Sequence, residues 1–254
     1  MSVATKPLRP FFSYYGGKWR DAVRLYPPPA HDTIIEPFAG SAGYSLRYYQ
    51  KSIVLYEIDP VVVAVWKYLI AVKPSEILSI PDIQPGETCD DLTVCQEARW
   101  LVGFWLNRAA CSPRKSASAW MRAKVRPGSF WGERVRNTIA SQVEFIRHWQ
   151  VHNSGYIESP DDLSATWFVD PPYQVAGRHY RFGSEIIDYP SLAAWCRARV
   201  GQVIVCENEG AEWLPFRRLA SVKTTRATRR SCEVYWLDSF EEEPSPAART
   251  GTSG

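Results

Sequence analysis

Residues 32–59 read DTIIEPFAGSAGYSLRYYQKSIVLYEID, and this stretch decides the fold. Its first part, Asp32 to Phe38, is a short apolar run rich in β-formers that stops at a proline and gives way to Ala-Gly-Ser-Ala-Gly. That pattern predicts a buried strand followed by a glycine turn. Residues 44–50 (YSLRYYQ) start a helix, and residues 52–56 (SIVLY) form a second strand ending at Glu57-Ile58-Asp59. Strand, glycine turn, helix, strand and acid is the layout of a nucleotide-binding α/β unit.

The same reading extends outward. Residues 61–72 form a mostly apolar helix with Pro74 marking its end, residues 81–91 a polar loop, and residues 92–107 a second helix. The stretch 109–132 carries Pro113, Pro127 and Gly128 with little apolar periodicity, so it is read as an insertion. Helical spacing resumes over 135–149, with Val135, Ile139, Val143 and Ile146 on one face. Residues 167–169 make a short strand running into Asp170-Pro171-Pro172-Tyr173, 202–206 (QVIVC) another, and 234–237 the last. The final residues, 241–254, are polar and rich in Pro, Gly and Ser, the composition of a disordered tail.

A chain of 254 residues with 45% apolar content buries a substantial core and suits one domain with a modest insertion. The net charge of +3 decides little, but the basic residues are clustered. Arg108, Arg114, Lys115, Arg122, Lys124, Arg126, Arg134 and Arg136 lie within one segment opposed only by Glu133, a patch that attracts a polyanion. Cys89, Cys95, Cys111, Cys196, Cys206 and Cys232 form no close pairs of the kind used for zinc or a redox dithiol, so reduced thiols and no metal site are expected. No apolar run is long enough to span a bilayer, and no signal segment opens the chain, so a cytoplasmic protein is expected.

Asp170-Pro171-Pro172-Tyr173 carries the most specific chemistry. It sits at the C-terminal end of a predicted parallel strand, the edge where open α/β sheets gather their ligands. Two prolines lack N–H groups and fix their φ angles, which stiffens the loop. The preceding carboxylate and nearby carbonyls then become rigid acceptors for an amino group that donates two hydrogen bonds. Tyr173 offers a face on which a base stacks.

Together with Glu36-Pro37-Phe38-Ala39-Gly40, Tyr15-Gly16-Gly17-Lys18 and Phe104-Trp105-Leu106-Asn107-Arg108, this tetrapeptide resembles the Dam-like adenine-specific DNA methyltransferases, in the family's order and along most of the chain. The resemblance implies a Rossmann-like α/β methyltransferase sheet using S-adenosyl-L-methionine, with a target-recognition region between the cofactor and catalytic motifs. The domain reading follows: 1–108 the first, cofactor-binding part; 109–136 the recognition insertion; 137–240 the second, catalytic part; 241–254 the tail. It assigns catalysis to Asp170, Pro171, Pro172 and Tyr173, and cofactor binding to Tyr15, Gly17, Lys18, Glu36, Phe38, Gly40, Glu57 and Asp170. DNA contacts fall to Arg108, Arg114, Lys115, Arg122, Lys124 and Arg126, inside the stretch that charge alone had marked.

Glu57 stands where an acid accepts hydrogen bonds from ribose hydroxyls. Lys18 lacks the full phosphate-loop spacing and is read as a cofactor-loop residue, not an ATP binder. One departure stands out: the family commonly reads Phe-x-Gly-x-Gly, whereas here Ala42 occupies the second glycine position and Gly43 follows it. Asn153, Ser154 and Glu158 compete for the place where the family has an acid beside the adenine ring. The implied partner is double-stranded DNA, with a restriction endonuclease possible in the same system and a monomer expected. Two alternatives remain open: methyl transfer to the amino nitrogen of cytosine, and a catalytically silent DNA-binding relative.

Overall fold

The structure is a computed structural model that describes residues 6–19, 25–84, 86–107, 110–117, 130–175, 177, 180–223 and 230–239. Seven strands, β1 (Thr33–Glu36), β2 (Ser52–Glu57), β3 (Gln150–Asn153), β4 (Ala165–Val169), β5 (Gly201–Asn208), β6 (Arg217–Lys223) and β7 (Arg230–Ser239), form one sheet. Their order is β3-β2-β1-β4-β5-β7-β6. The first five pair in parallel, and β7 runs antiparallel between β5 and β6. The fold is therefore α/β with a mostly parallel sheet, compatible with a Rossmann-like architecture. It departs from the 3-2-1-4-5-6 order by the antiparallel β7 inserted between β5 and β6.

Apolar runs face both sides of this sheet, as expected for parallel strands covered on both faces. Ile34, Ile53, Leu55, Phe168 and Ile204 point into one layer with Phe11, Phe12, Tyr44, Trp66 and Phe104. Their neighbours Ile35, Val54, Trp167, Val169, Val203 and Val205 point into the other, against Leu192 and Cys196. The first layer is closed by helices α1 (Pro60–Ala71), α3 (Gln96–Trp105) and α4 (Glu133–Ala140), the second by α5 (Tyr189–Arg197). Asp59 caps α1 by accepting from the Val61 amide, with Pro60 at the first helical position.

The sequence expectations hold for β1, β2, α1, β4, β5 and β7 within a few residues. Three differ. The helix expected over 44–50 is a single 3-10 turn at Ser45–Arg47. Pro74 ends α1 but also opens a short helix α2 (Pro74–Ser79), because proline is tolerated where no intrahelical N–H is needed. The helix expected over 135–149 is α4 followed by a 3-10 turn at Val143–Ile146, then β3. Helix α4 straddles the expected insertion boundary at residue 136. The tail 241–254 lies outside the described residues.

Of the described parts of the insertion, 110–117 and 130–136, the first is strapped onto α3. The Arg114 amide donates to the Gly103 carbonyl at 3.0 Å, and the Cys89 amide to the Lys115 carbonyl at 2.7 Å. A side chain at Gly103 would meet the Arg114 backbone oxygen at 2.7 Å, so this crossing depends on a glycine. Among the described residues no helix is long and apolar enough to cross a membrane.

Candidate functional site

Strand order reverses between β1 and β4, and a cleft of about 290 Å³ opens where their C-terminal ends part. Glu36 ends β1, Glu57 ends β2 and Asp170 follows β4, so three acids from three strands reach one cleft. Pro37, Phe38, Ala39 and Gly40 line it from the turn after β1, and Tyr15, Gly17 and Lys18 from the N-terminal segment. All the residues assigned to cofactor binding are thus gathered in one place.

The turn after β1 is held from several directions. The Gly40 amide donates to Glu57 Oε2 at 2.9 Å, and Trp66 Nε1 donates to the Gly40 carbonyl at 2.8 Å. Glu36 Oε1 accepts from the Ser45 amide at 2.8 Å. Gly40 and Ala42 have φ of 45° and 50°, the left-handed region. Ala42 therefore occupies a position that favours glycine, at a cost of about 1 kcal/mol. The glycine one residue later serves packing: a Cβ on Gly43 would lie 2.8 Å from the Trp19 nitrogen and 2.9 Å from the Lys18 nitrogen. The Gly-Gly-Lys segment can approach this turn only because Gly43 has no side chain.

Lys18 is buried at the centre of the site. Its ammonium lies 3.0 Å from Asp170 Oδ1 and 3.9 Å from Glu233 Oε2, donates to the Gly16 carbonyl at 3.0 Å, and sits 4.6 Å over the Tyr173 ring. Burial alone would lower its pKa, but Asp170 and then Glu233 outweigh this and hold it charged. For Asp170, burial pushes up, Lys18 pulls down and Glu233 pushes up again, leaving the carboxyl at about 6. Burial pushes Glu36 up to about 8 against the hydrogen bond from the Ser45 amide. It also raises Glu57, opposed by the Asp59 and Gly40 amides. Asp170 keeps 19% exposure of its side chain, and it lines the cleft.

The tetrapeptide Asp170-Pro171-Pro172-Tyr173 is only partly presented to the cleft. Asp170 and Pro172 line it; Pro171 and Tyr173 do not. The Tyr173 hydroxyl donates to Glu233 Oε2 at 2.9 Å, and one face of its ring is under the Lys18 ammonium. In this arrangement its ring is not offered to the cleft for stacking. The tyrosines that line the cleft instead are Tyr14, Tyr15, Tyr156 and Tyr180, with Phe38 and Tyr156 stacked at 5.5 Å. The loop itself is pinned: Tyr189 donates to the Pro172 carbonyl at 2.7 Å, and the Gln174 amide donates to buried Glu207 at 3.1 Å.

Glu233 was not apparent from the sequence. It stands on β7, buried, and accepts from both Tyr26 and Tyr173 at 2.9 Å. The available signal was an acid interrupting the apolar alternation of a strand. Of the residues that the resemblance set in competition for one acidic role, Asn153 donates to the Glu57 and Ile58 carbonyls and so ties β3 to β2, whereas Glu158 lines the cleft.

Arg114 and Lys115 are exposed, Lys115 paired with Asp90 at 2.6 Å. The insertion starts at the cleft, where the Tyr15 amide donates to the Ala110 carbonyl at 3.2 Å. Arg108, Arg122, Lys124 and Arg126 lie outside the described residues. Among the described residues no group of three His, Cys, Asp or Glu side chains is arranged to hold a metal ion. In comparisons with known proteins, no family model matches the sequence and no curated protein matches it.

Proposed function

We propose that this protein is an S-adenosylmethionine-dependent DNA methyltransferase acting on the exocyclic amino group of adenine. The observation that carries the reading is the charge of the cleft. Glu57, Asp59, Glu158 and Asp170 line it beside Glu36, whose carboxyl burial keeps protonated at neutral pH, against Lys18 and Arg181, each of which already faces one of those acids. Such a lining repels a dinucleotide pyrophosphate and favours a nucleoside that carries positive charge, as the sulfonium and ammonium groups of S-adenosylmethionine do. The residues fit that group: Glu57 for the ribose hydroxyls, the turn at Gly40 for close main-chain approach, and Phe38, Tyr156 and Ile157 for an apolar ring.

When bound, the cofactor supplies an electrophilic methyl group. The work of the chain is to prepare the amine. An adenine amino nitrogen is a poor nucleophile because its lone pair is delocalised into the ring. With the Asp170 carboxylate, which lines the cleft, accepting hydrogen bonds from the amino group, the nitrogen is free to become tetrahedral, and positioning supplies most of the rate. Lys18 holds the Asp170 carboxylate charged and fixed in direction. The target base leaves the duplex to reach this cleft.

Asp170→Ala tests the reading: methyl transfer to DNA should be abolished while cofactor affinity by calorimetry stays within a few-fold, and retained transfer would refute it. One observation favours a second reading, a silent relative that binds cofactor and DNA without turnover: Tyr173 is tied to Glu233 instead of facing the cleft. Cofactor and DNA binding without product would select it.

A further inference from the structure

The segment 217–230, RRLASVKTTRATRR, holds six cations and no acid, and no Asp or Glu occurs between Trp213 and Cys232. Its described residues belong to the β6–β7 hairpin. In register, Arg217 pairs with Tyr235, Arg218 with Val234 and Lys223 with Arg230. Tyr235 and Val234 in turn pair with Cys206 and Glu207 near the C-terminal end of β5, and Glu233 pairs with Asn208, the last residue of β5. Strand β6 therefore begins level with that end and continues past it. From Glu233 back to Arg230 the hairpin overhangs the sheet by about 10 Å, at about 3.4 Å per residue. The edge it overhangs is the one that bears the cleft.

We infer that the β6–β7 hairpin is a second nucleic-acid contact, a cationic arm that grips the phosphate backbone of the same duplex whose base enters the cleft. The inference rests on the proposed function, and it adds an element separate in sequence from the insertion at 109–136. Charges on an edge strand also block edge-to-edge association, but either sign serves that purpose. Six cations without one acid, beside an acidic cleft, match a polyanion. Arg217 and Arg218 are exposed, and β6 is the outermost strand at this end of the sheet.

Duplex binding by fluorescence anisotropy across a salt series tests this. The unaltered chain is compared with a variant in which Arg217, Arg218, Lys223 and Arg230 are each replaced by Gln, with S-adenosylmethionine affinity as the check on folding. Each lost phosphate contact removes about 0.9 from the slope of log affinity against log salt, so four contacts remove about 3.6. A fall of about two or more, with at least tenfold weaker binding, is expected; a smaller fall overturns the inference. Should the fourfold variant lose cofactor binding, the Arg217→Gln/Arg218→Gln pair decides, with a fall of about one as the threshold. An unaltered chain that binds no duplex would overturn the proposed function itself, which separates the two failures.

Discussion

Glu36→Gln isolates the energetics of the cleft from its chemistry. The carboxyl of Glu36 is buried, accepts the Ser45 amide at 2.8 Å, and is pushed by burial from an ordinary value of 4.5 up to about 8. The folded chain then binds a proton that the unfolded chain releases above pH 4.5. Stability linked to this group is complete below 4.5 and is lost as pH rises towards 8, where the loss levels off. Between pH 4.5 and pH 7 the loss amounts to about 3 kcal/mol. A glutamine keeps an oxygen for the Ser45 amide and never ionises. It should therefore stabilise the ligand-free protein by about 3 kcal/mol at pH 7 and by almost nothing at pH 4.5. Urea midpoints for both proteins at the two pH values measure this directly. A stability difference that does not change with pH would refute the reasoning, because the buried carboxyl would then not be the source.

Other perturbations probe the same site. Lys18→Met leaves Asp170 and Glu233 as two buried acids without their cation; unfolding should become easier by about 3 kcal/mol at pH 8, and by less at pH 5 where Asp170 protonates, as urea titrations would show. Gly43→Ala drives a Cβ to within 3.0 Å of the Lys18 and Trp19 backbone; a loss of about 1–3 kcal/mol in thermal unfolding and a marked drop in cofactor affinity are expected. Tyr189→Phe removes the hydroxyl that holds the Pro172 carbonyl, which should cost about 1 kcal/mol of stability and slow methyl transfer while calorimetric cofactor affinity is retained. Because Asp170 accepts hydrogen bonds as a carboxylate, single-turnover transfer should rise with pH through about 6 and then level; a rate flat across that range would remove Asp170 from the role.

The parallel part of the fold was legible because its strands are continuous apolar runs ended by Pro, Gly or acids, as at Glu36-Pro37 and Asp170-Pro171. Strand β3 was not, since QVHN is short, mostly exposed and lacks any apolar alternation. Strand β6 was hidden by its charges, which suit an edge strand and not a buried one. The cleft acids Glu36, Glu57 and Asp170 were readable from their positions at strand ends. Glu233 was not, because its importance arises only when β7 runs antiparallel and returns it to the C-terminal edge beside Lys18. The stacking role expected of Tyr173 depended on side-chain direction, which the tetrapeptide does not encode; here Glu233 and Lys18 set it. The left-handed backbone at Ala42 gives a physical reason for the glycine common at that place in the family it resembles.

The central claim is tested most directly by incubating the protein with labelled S-adenosylmethionine and unmethylated genomic DNA, digesting to nucleosides and mapping modified positions by sequencing. The account predicts methyl label on the amino group of adenine, confined to one short DNA motif and absent with Asp170→Ala. Label on the amino nitrogen of cytosine, or none despite measurable binding of cofactor and duplex, would contradict it.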